Sequence, residues 1–293
     1  MAKLIHAMSG DGSVMALAIR STDIASRIEQ IHKTSAVVTA ALGRLATAAS
    51  MMGVMLKGEG DSLTLRVNGG GPAGTLIAVA DSAGCVKAYV QNPVVELPLN
   101  ARGKLDVAGA VGREGYLSVI KDLGLKEPYS GQVPLISGEL AEDVTNYYAT
   151  SEQTPTSCGL GVLVNPDLTV RAAGGFLVQL LPNAADATVE RLEQNVRAIP
   201  PVSSLIDRGM EPEEICRMLL EGLDPVILDE FAPEYRCDCS RERVERAVLS
   251  LGKDQLDELI SEDHGTEVSC HFCGKAYRFS EEELRALRDR AVR

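Results

Sequence analysis

Tryptophan is absent from this 293-residue chain, and aromatic side chains together make up 4% of it. Surfaces that hold nucleic acid by stacking bases on aromatic rings are therefore scarce. Positive charge is also in deficit: 29 Lys and Arg stand against 41 Asp and Glu, a formal net charge of −12. A face made for nucleic acid or anionic lipid wants the opposite sign, so neither is expected as a partner. The first residues, MAKLIHAMSGDG, lack a long apolar run ahead of a small-residue cleavage site. No signal peptide is read there, and a cytoplasmic protein is expected. What is present is ordinary for a globular protein, with 45% hydrophobic and 24% charged residues. That balance excludes disorder throughout, and the length implies one large and one small domain.

The longest apolar stretch, AVVTAALGRLATAASMMGVML from Ala36 to Leu56, is long enough to span a bilayer. Arg44 stands near its middle, with Thr39, Thr47 and Ser50 around it. A central Arg costs about 2.5–3.5 kcal/mol on insertion scales, so a helix buried in a protein core is the better reading.

Charge and periodicity divide the chain into three. Residues 1–182 carry 14 basic and 16 acidic groups and read as an α+β core domain. Lys3–Met8 and Val14–Arg20 alternate about Gly10-Asp11-Gly12. Thr75–Asp81 and Cys85–Val90 flank Ser82-Ala83-Gly84, and Leu160–Val164 and Leu168–Ala172 flank Asn165-Pro166-Asp167. Such short turns demand antiparallel pairing, which argues against a βαβ nucleotide fold. Ser62–Asn68 is a further strand, and helices at about 23–32, 35–57 and 139–150 are expected to cover one sheet face. Residues 183–236 carry 5 basic and 12 acidic groups and read as a helical linker. One helix places Val189, Leu192, Val196 and Ile199 on one face before Pro200-Pro201; another, opened by Pro212, carries Ile215, Met218 and Leu219. Helices this short need a docking surface to persist, so the segment is either conditionally folded or a permanently packed subdomain. Residues 237–293 are too poor in large apolar side chains for a strong core, and a domain of this size needs a staple.

The cysteines offer one. Cys237-x-Cys239 and Cys270-x-x-Cys273 lie 30 residues apart, whereas Cys85, Cys158 and Cys216 are isolated and read as small buried hydrophobes. Two short-range pairs can chelate one zinc ion from two loops, and four protein ligands leave no open position for hydrolytic chemistry. Redox dithiols without metal are the alternative. In an oxidoreductase, however, Cys-x-x-Cys opens a helix, and here the strand-like Gly274–Phe279 follows. His271 and His264 lie close enough to replace a thiolate, but four thiols already suffice. Asn68-Gly69-Gly70-Gly71-Pro72 lacks the Lys-Ser/Thr of a phosphate-binding loop and reads as a turn, and Ala172–Phe176 as a bend in a strand. No nucleophile–base–acid set stands out, so no enzyme is expected.

Several long segments carry a resemblance. They include ALGRLATAASMMGVMLKG (41–58), GGGPAGTLIAVAD (69–81), GKLDVAGAVG (103–112), YLSVIKDLGLKEPYSGQVPLISGELAEDVTNYYATSEQTP (116–155) and GVLVNPDLTVRAAGGFLVQLLP (161–182). CDCSRERVERAVLSLG (237–252) and CHFCGKAYRF (270–279) complete them. The chain resembles the bacterial heat shock protein thirty-three family of redox-regulated chaperonins from end to end. That resemblance implies an ATP-independent holdase, inactive while reduced with one zinc ion held by Cys237, Cys239, Cys270 and Cys273. It implies that oxidation forms Cys237–Cys239 and Cys270–Cys273 disulfides, releases zinc and unfolds the zinc domain and linker. Unfolding clients would then be bound, usually by a homodimer. The linker stripes Val189, Leu192, Val196, Ile199, Ile215, Met218 and Leu219 are the residues expected to meet the client.

Overall fold

The computed structural model describes residues 1–182, 184–263 and 265–290. The chain divides into two compact units, Met1–Arg236 and Cys237–Arg293.

The larger unit is built on two five-stranded antiparallel sheets. The first is formed by β1 (Lys3–Met8), β2 (Val14–Arg20), β8 (Thr156–Val164), β9 (Val170–Leu180) and β10 (Val226–Phe231), in the order β10-β1-β2-β9-β8. The second comprises β3 (Ser62–Gly70), β4 (Leu76–Asp81), β5 (Val86–Val90), β6 (Gly112–Asp122) and β7 (Tyr129–Pro134), in the order β5-β4-β3-β6-β7. The expected hairpins are present, with Leu4 opposite Ile19 and Ala78 opposite Ala88. β6 and β7, joined by residues 123–128, were not legible from alternation alone.

Two helices correct the expectation that helices cover one sheet face. α1 (Thr22–His32) and α2 (Ala36–Gly53) share a single apolar core with both sheets, and α2 touches strands of each. A helix between two sheets has no solvent face, which is why its sequence is apolar all round rather than striped. It is long and apolar enough to cross a membrane, yet 89% of that stretch is buried inside the fold. Arg44 escapes at its edge, where Nη1 reaches the Glu139 carboxylate at 2.6 Å.

Three further features position the rest. α3 (Val107–Val111) is capped by Asp106, whose carboxylate accepts from the Gly109 N–H. Ahead of α4 (Ala141–Thr150), the fully buried Asp143 carboxylate accepts backbone N–H groups of Ile136, Ser137 and Leu140 at 2.8–3.0 Å, with Leu140 at φ +71°. Gly174 and Gly175 stay in uninterrupted register with Arg20 and Ile19, so the expected bend is not there; the ladder's irregularity lies at Leu163/Val164. These glycines instead allow close approach. A Cβ on Gly174 would sit 2.1 Å from Ile206 Cδ1 and 2.3 Å from the Ile19 carbonyl oxygen.

Residues 184–236 pack on the outer face of the first sheet. α5 (Asp186–Ala198), α6 (Val202–Asp207) and α7 (Pro212–Leu219) form a second apolar core with Ile5, Ala7, Val14, Ala16, Phe176 and Val178. A helical segment was expected, but it also supplies β10, whose residues VILDEF pair with β1.

The smaller unit contains α8 (Arg241–Leu249), α9 (Lys253–Asp263), the hairpin β11 (Gly265–Ser269) and β12 (Ala276–Ser280), and α10 (Glu281–Arg290). Its apolar core consists of Val248, Leu256, Ile260, Tyr277, Phe279, Leu284 and Leu287. Ser280 and Glu283 exchange backbone and side-chain hydrogen bonds, the capping box that opens α10.

Candidate metal centre

Local signals place the four paired cysteines. Ser240 caps α8 by accepting from the Arg243 N–H, so the helix does not extend back over Cys237 and Cys239, which lie outside any helix or strand before it. Arg243 also pairs with Asp238 between the two thiols. The other pair sits at the tip of the β11–β12 hairpin. There the Cys270 N–H donates to the Lys275 carbonyl at 2.9 Å and the Gly274 N–H to the Cys270 carbonyl at 2.8 Å. Gly274 adopts φ +70°, which a residue with a Cβ adopts only at a cost.

Cys237 and Cys270 Sγ are 3.7 Å apart, Cys239 and Cys273 Sγ 3.4 Å, and all four sulfurs lie within 4.8 Å of one another. All four are free thiols and half-buried. Four sulfurs at about 2.3 Å from a tetrahedral zinc would stand about 3.8 Å from each other, so donor type, number and spacing fit that ion. Burial pushes the Cys237 and Cys273 thiols up. At Cys239 burial acts the same way, but hydrogen bonds from Tyr277 and the neighbouring thiols outweigh it and bring the thiol down to about 7. The Tyr277 hydroxyl lies 3.2 Å from Cys239 Sγ and 3.1 Å from its carbonyl oxygen. Sequence reasoning did not find Tyr277; its alternation with Phe279 on one buried face of β12 was the available signal.

Among the described residues no histidine joins the cluster: His271 is not part of it, and His264 lies outside them. Cys270 and Cys273 are followed by a strand, not a helix, so no helix N-terminus is aimed at either thiol. Cys85 and Cys216 are buried and Cys158 half-buried, with burial pushing Cys158 and Cys216 up to about 12.

The linker residues expected to meet a client are covered. Leu192, Ile215 and Leu219 are buried, while Val189, Val196, Ile199 and Met218 are half-buried. α7 is held firmly. Under α5, however, Val189, Leu192 and Val196 line a groove of about 210 Å³ against Val178 and Leu180, where side chains lack packing partners.

Two antiparallel sheets around a central helix, with a small C-terminal unit gathered at four thiols, define a two-unit α+β protein with a four-thiol cluster that could hold a metal ion. The Hsp33 protein family matches residues 2–280, and the chain belongs to that family. It is 50% identical over 284 residues to the 33 kDa chaperonin of Acetivibrio thermocellus, covering 97% of this chain and 96% of that one. With the 33 kDa chaperonin of Bacillus subtilis it shares 49% over 290 residues, 99% of each. The crystal structure of the 33 kDa chaperonin from Thermotoga maritima superposes with a TM-score of 0.90 at 37% identity, covering 98% of this chain and 97% of that one. This kinship supports a chaperone role.

Proposed function

We propose that the protein is a redox-regulated, ATP-independent holdase, and that the four-thiol cluster is its switch. The observation that carries this reading is the convergence of Cys237, Cys239, Cys270 and Cys273 in a unit whose apolar core is small. In the reduced state the four cysteines hold one zinc ion, which supplies cross-linking between two loops and no catalysis, since all four positions are taken by protein. Structural zinc is worth about 10–16 kcal/mol, against about 5–15 kcal/mol for a whole domain, so residues 237–293 fold only with their ligands in place.

Peroxide converts the ligands. A thiolate attacks one peroxide oxygen, the O–O bond breaks, and water leaves with a proton taken up to give a sulfenic acid. The neighbouring thiol of the same pair displaces a second water and closes the disulfide, so each peroxide removes two electrons from one pair. Cys237–Cys239 and Cys270–Cys273 are the pairs that the family resemblance implies, while the shortest sulfur separations in the reduced form, Cys237–Cys270 and Cys239–Cys273, run between the two pairs. Disulfide sulfurs are no longer thiolate ligands, so residues 237–293 lose their staple, and cellular thiols reverse the change.

The proposed division is a core domain at 1–182, a conditionally folded linker at 183–236 and a redox-switch domain at 237–293. Opening of the linker uncovers Val189, Leu192, Val196, Ile199, Ile215, Met218 and Leu219 together with the sheet face they cover, for capture of unfolding proteins. Acidic residues among these stripes keep the opened chain soluble. Cytoplasmic location, a homodimer in the oxidised state and the absence of enzymatic turnover complete the reading.

Peroxide with mild heat should release about one zinc per chain, by the four-ligand arithmetic. Suppression of thermal aggregation of an unrelated enzyme should appear only after that treatment. Zinc release with aggregation unchanged overturns the proposal. Catalytic reduction of insulin would replace it with a thiol–disulfide oxidoreductase.

A further inference from the structure

The last stretch before Cys237 closes two sheet edges at once. β10 lies along β1, the outer strand that the first sheet would otherwise present, with Leu4 opposite Phe231 and Met8 opposite Val226. His6 Nδ1 meets the Asp229 carboxylate at 3.0 Å, and Lys3 meets Glu230 at 3.3 Å. The chain then turns through Ala232-Pro233 to β5, the edge strand of the second sheet. There Tyr235 forms a parallel bridge with Val86. The Val86 N–H donates to the Glu234 carbonyl, and the Arg236 N–H donates to the Val86 carbonyl, both at 2.9 Å. At Ala88 a side chain stands in for backbone: the Tyr235 hydroxyl accepts from the Ala88 N–H at 3.3 Å and donates to its carbonyl at 3.1 Å. His32 Nε2 reaches the same carbonyl at 2.9 Å, and Arg236 clasps Asp81 at 2.6 Å.

An edge strand is a row of backbone donors and acceptors, and an extended chain laid on it pairs without regard to its own side chains. The strap is such a chain, and it is an incomplete one. Its ladder with β1 slips between His6 and Ala7. Among the described residues its backbone pairs with β5 only at Val86. A longer extended segment running the length of Val86–Val90 would make more backbone pairs than the strap does.

We propose that residues 226–236 are a removable cover, and that β5 and β1, once bare, take up an extended segment of an unfolded polypeptide as an added strand. This rests on the holdase reading above, in which unfolding of residues 237–293 frees the strap that runs directly into Cys237. It adds a second mode of capture to apolar contact. Backbone pairing reads no sequence, which suits clients that share only the unfolded state.

The test is amide hydrogen exchange at Val86 and Ala88 in the full-length protein. It is followed reduced, oxidised, and oxidised with unfolded, carbamidomethylated α-lactalbumin as the probe. Oxidation should speed exchange at both amides at least tenfold while Leu63 and Leu65 of β3 keep their protection, and bound probe should restore it to within threefold. Unchanged exchange on oxidation overturns the proposal, as does probe that binds while Val86 and Ala88 stay fast. The second arm is Val86→Pro, which deletes an edge donor. Probe binding by the oxidised variant should weaken at least threefold, with zinc content of the reduced form unchanged. Unaltered binding overturns the proposal. If the proline disturbs β3, exchange in the wild type decides alone. An oxidised wild type that takes up no probe overturns the holdase reading and this one with it.

Discussion

The two units solve the same problem by opposite means. Residues 1–236 place a largely apolar helix between two sheets, so burial of apolar surface is the main source of their stability. Residues 237–293 gather seven buried apolar side chains among the described residues and hold their loops by four thiols. Under the proposed function, folding of the first depends on how many side chains leave water and folding of the second on the chemical state of four atoms, so an oxidant would act directly on the second and reach the first only through the linker.

The sharpest way to break this comparison is to strip metal from the reduced protein with a strong chelator. Exchange protection at Val248, Tyr277 and Phe279 should vanish, while Leu63 and Leu65 keep theirs. Persistence of protection in the small unit would mean that its apolar core suffices. Next in size is Asp143→Ala, which leaves three N–H groups in the large unit without their acceptor. It should cost that unit about 3–5 kcal/mol by denaturant titration, with zinc affinity unaltered. Tyr277→Phe is the converse. Removing the hydroxyl beside Cys239 should weaken zinc about 10–100-fold in a competition titration and leave the large unit's unfolding midpoint in place.

Gly174→Ala tests the seam between core and linker. Its methyl would meet Ile206 of α6 and the Ile19 carbonyl, costing about 1–3 kcal/mol and loosening the linker before the sheet, as read by exchange at Leu205 and Ile206. The smallest effect expected is on pH. Burial holds the His32 imidazole below its ordinary value, against the pull of the Ala88 carbonyl. As pH falls below about 6.5, the unfolded chain takes the proton first, so stability is lost on that side and none is lost above it. Exchange at Val86, corrected for intrinsic rates, should rise from neutral pH to about 5.5, and His32→Gln should flatten that rise.

Much of this was legible beforehand. Turns such as Ser82-Ala83-Gly84 announced the hairpins, because a short turn between alternating runs admits one pairing. The cysteine spacing announced the cluster, because ligand chemistry depends on a few residue types at fixed intervals. β10 was not legible: VILDEF lies in a segment dominated by helical periodicity, and its partner β1 is more than two hundred residues away. Tyr277 and the strap at Tyr235–Arg236 escaped for the same reason, since each acts through atoms far off in the chain.

The amino-acid order by itself determined which stretches alternate, which helices are striped, and that four thiols in two pairs would be available as ligands; these are local properties, fixed by neighbours in the chain. Tertiary structure alone decided that the most apolar helix lies between two sheets, that two glycines make room rather than a bend, and that one strap covers two sheet edges. Each of those outcomes depends on which distant surfaces exclude water from one another, and no local pattern carries that information.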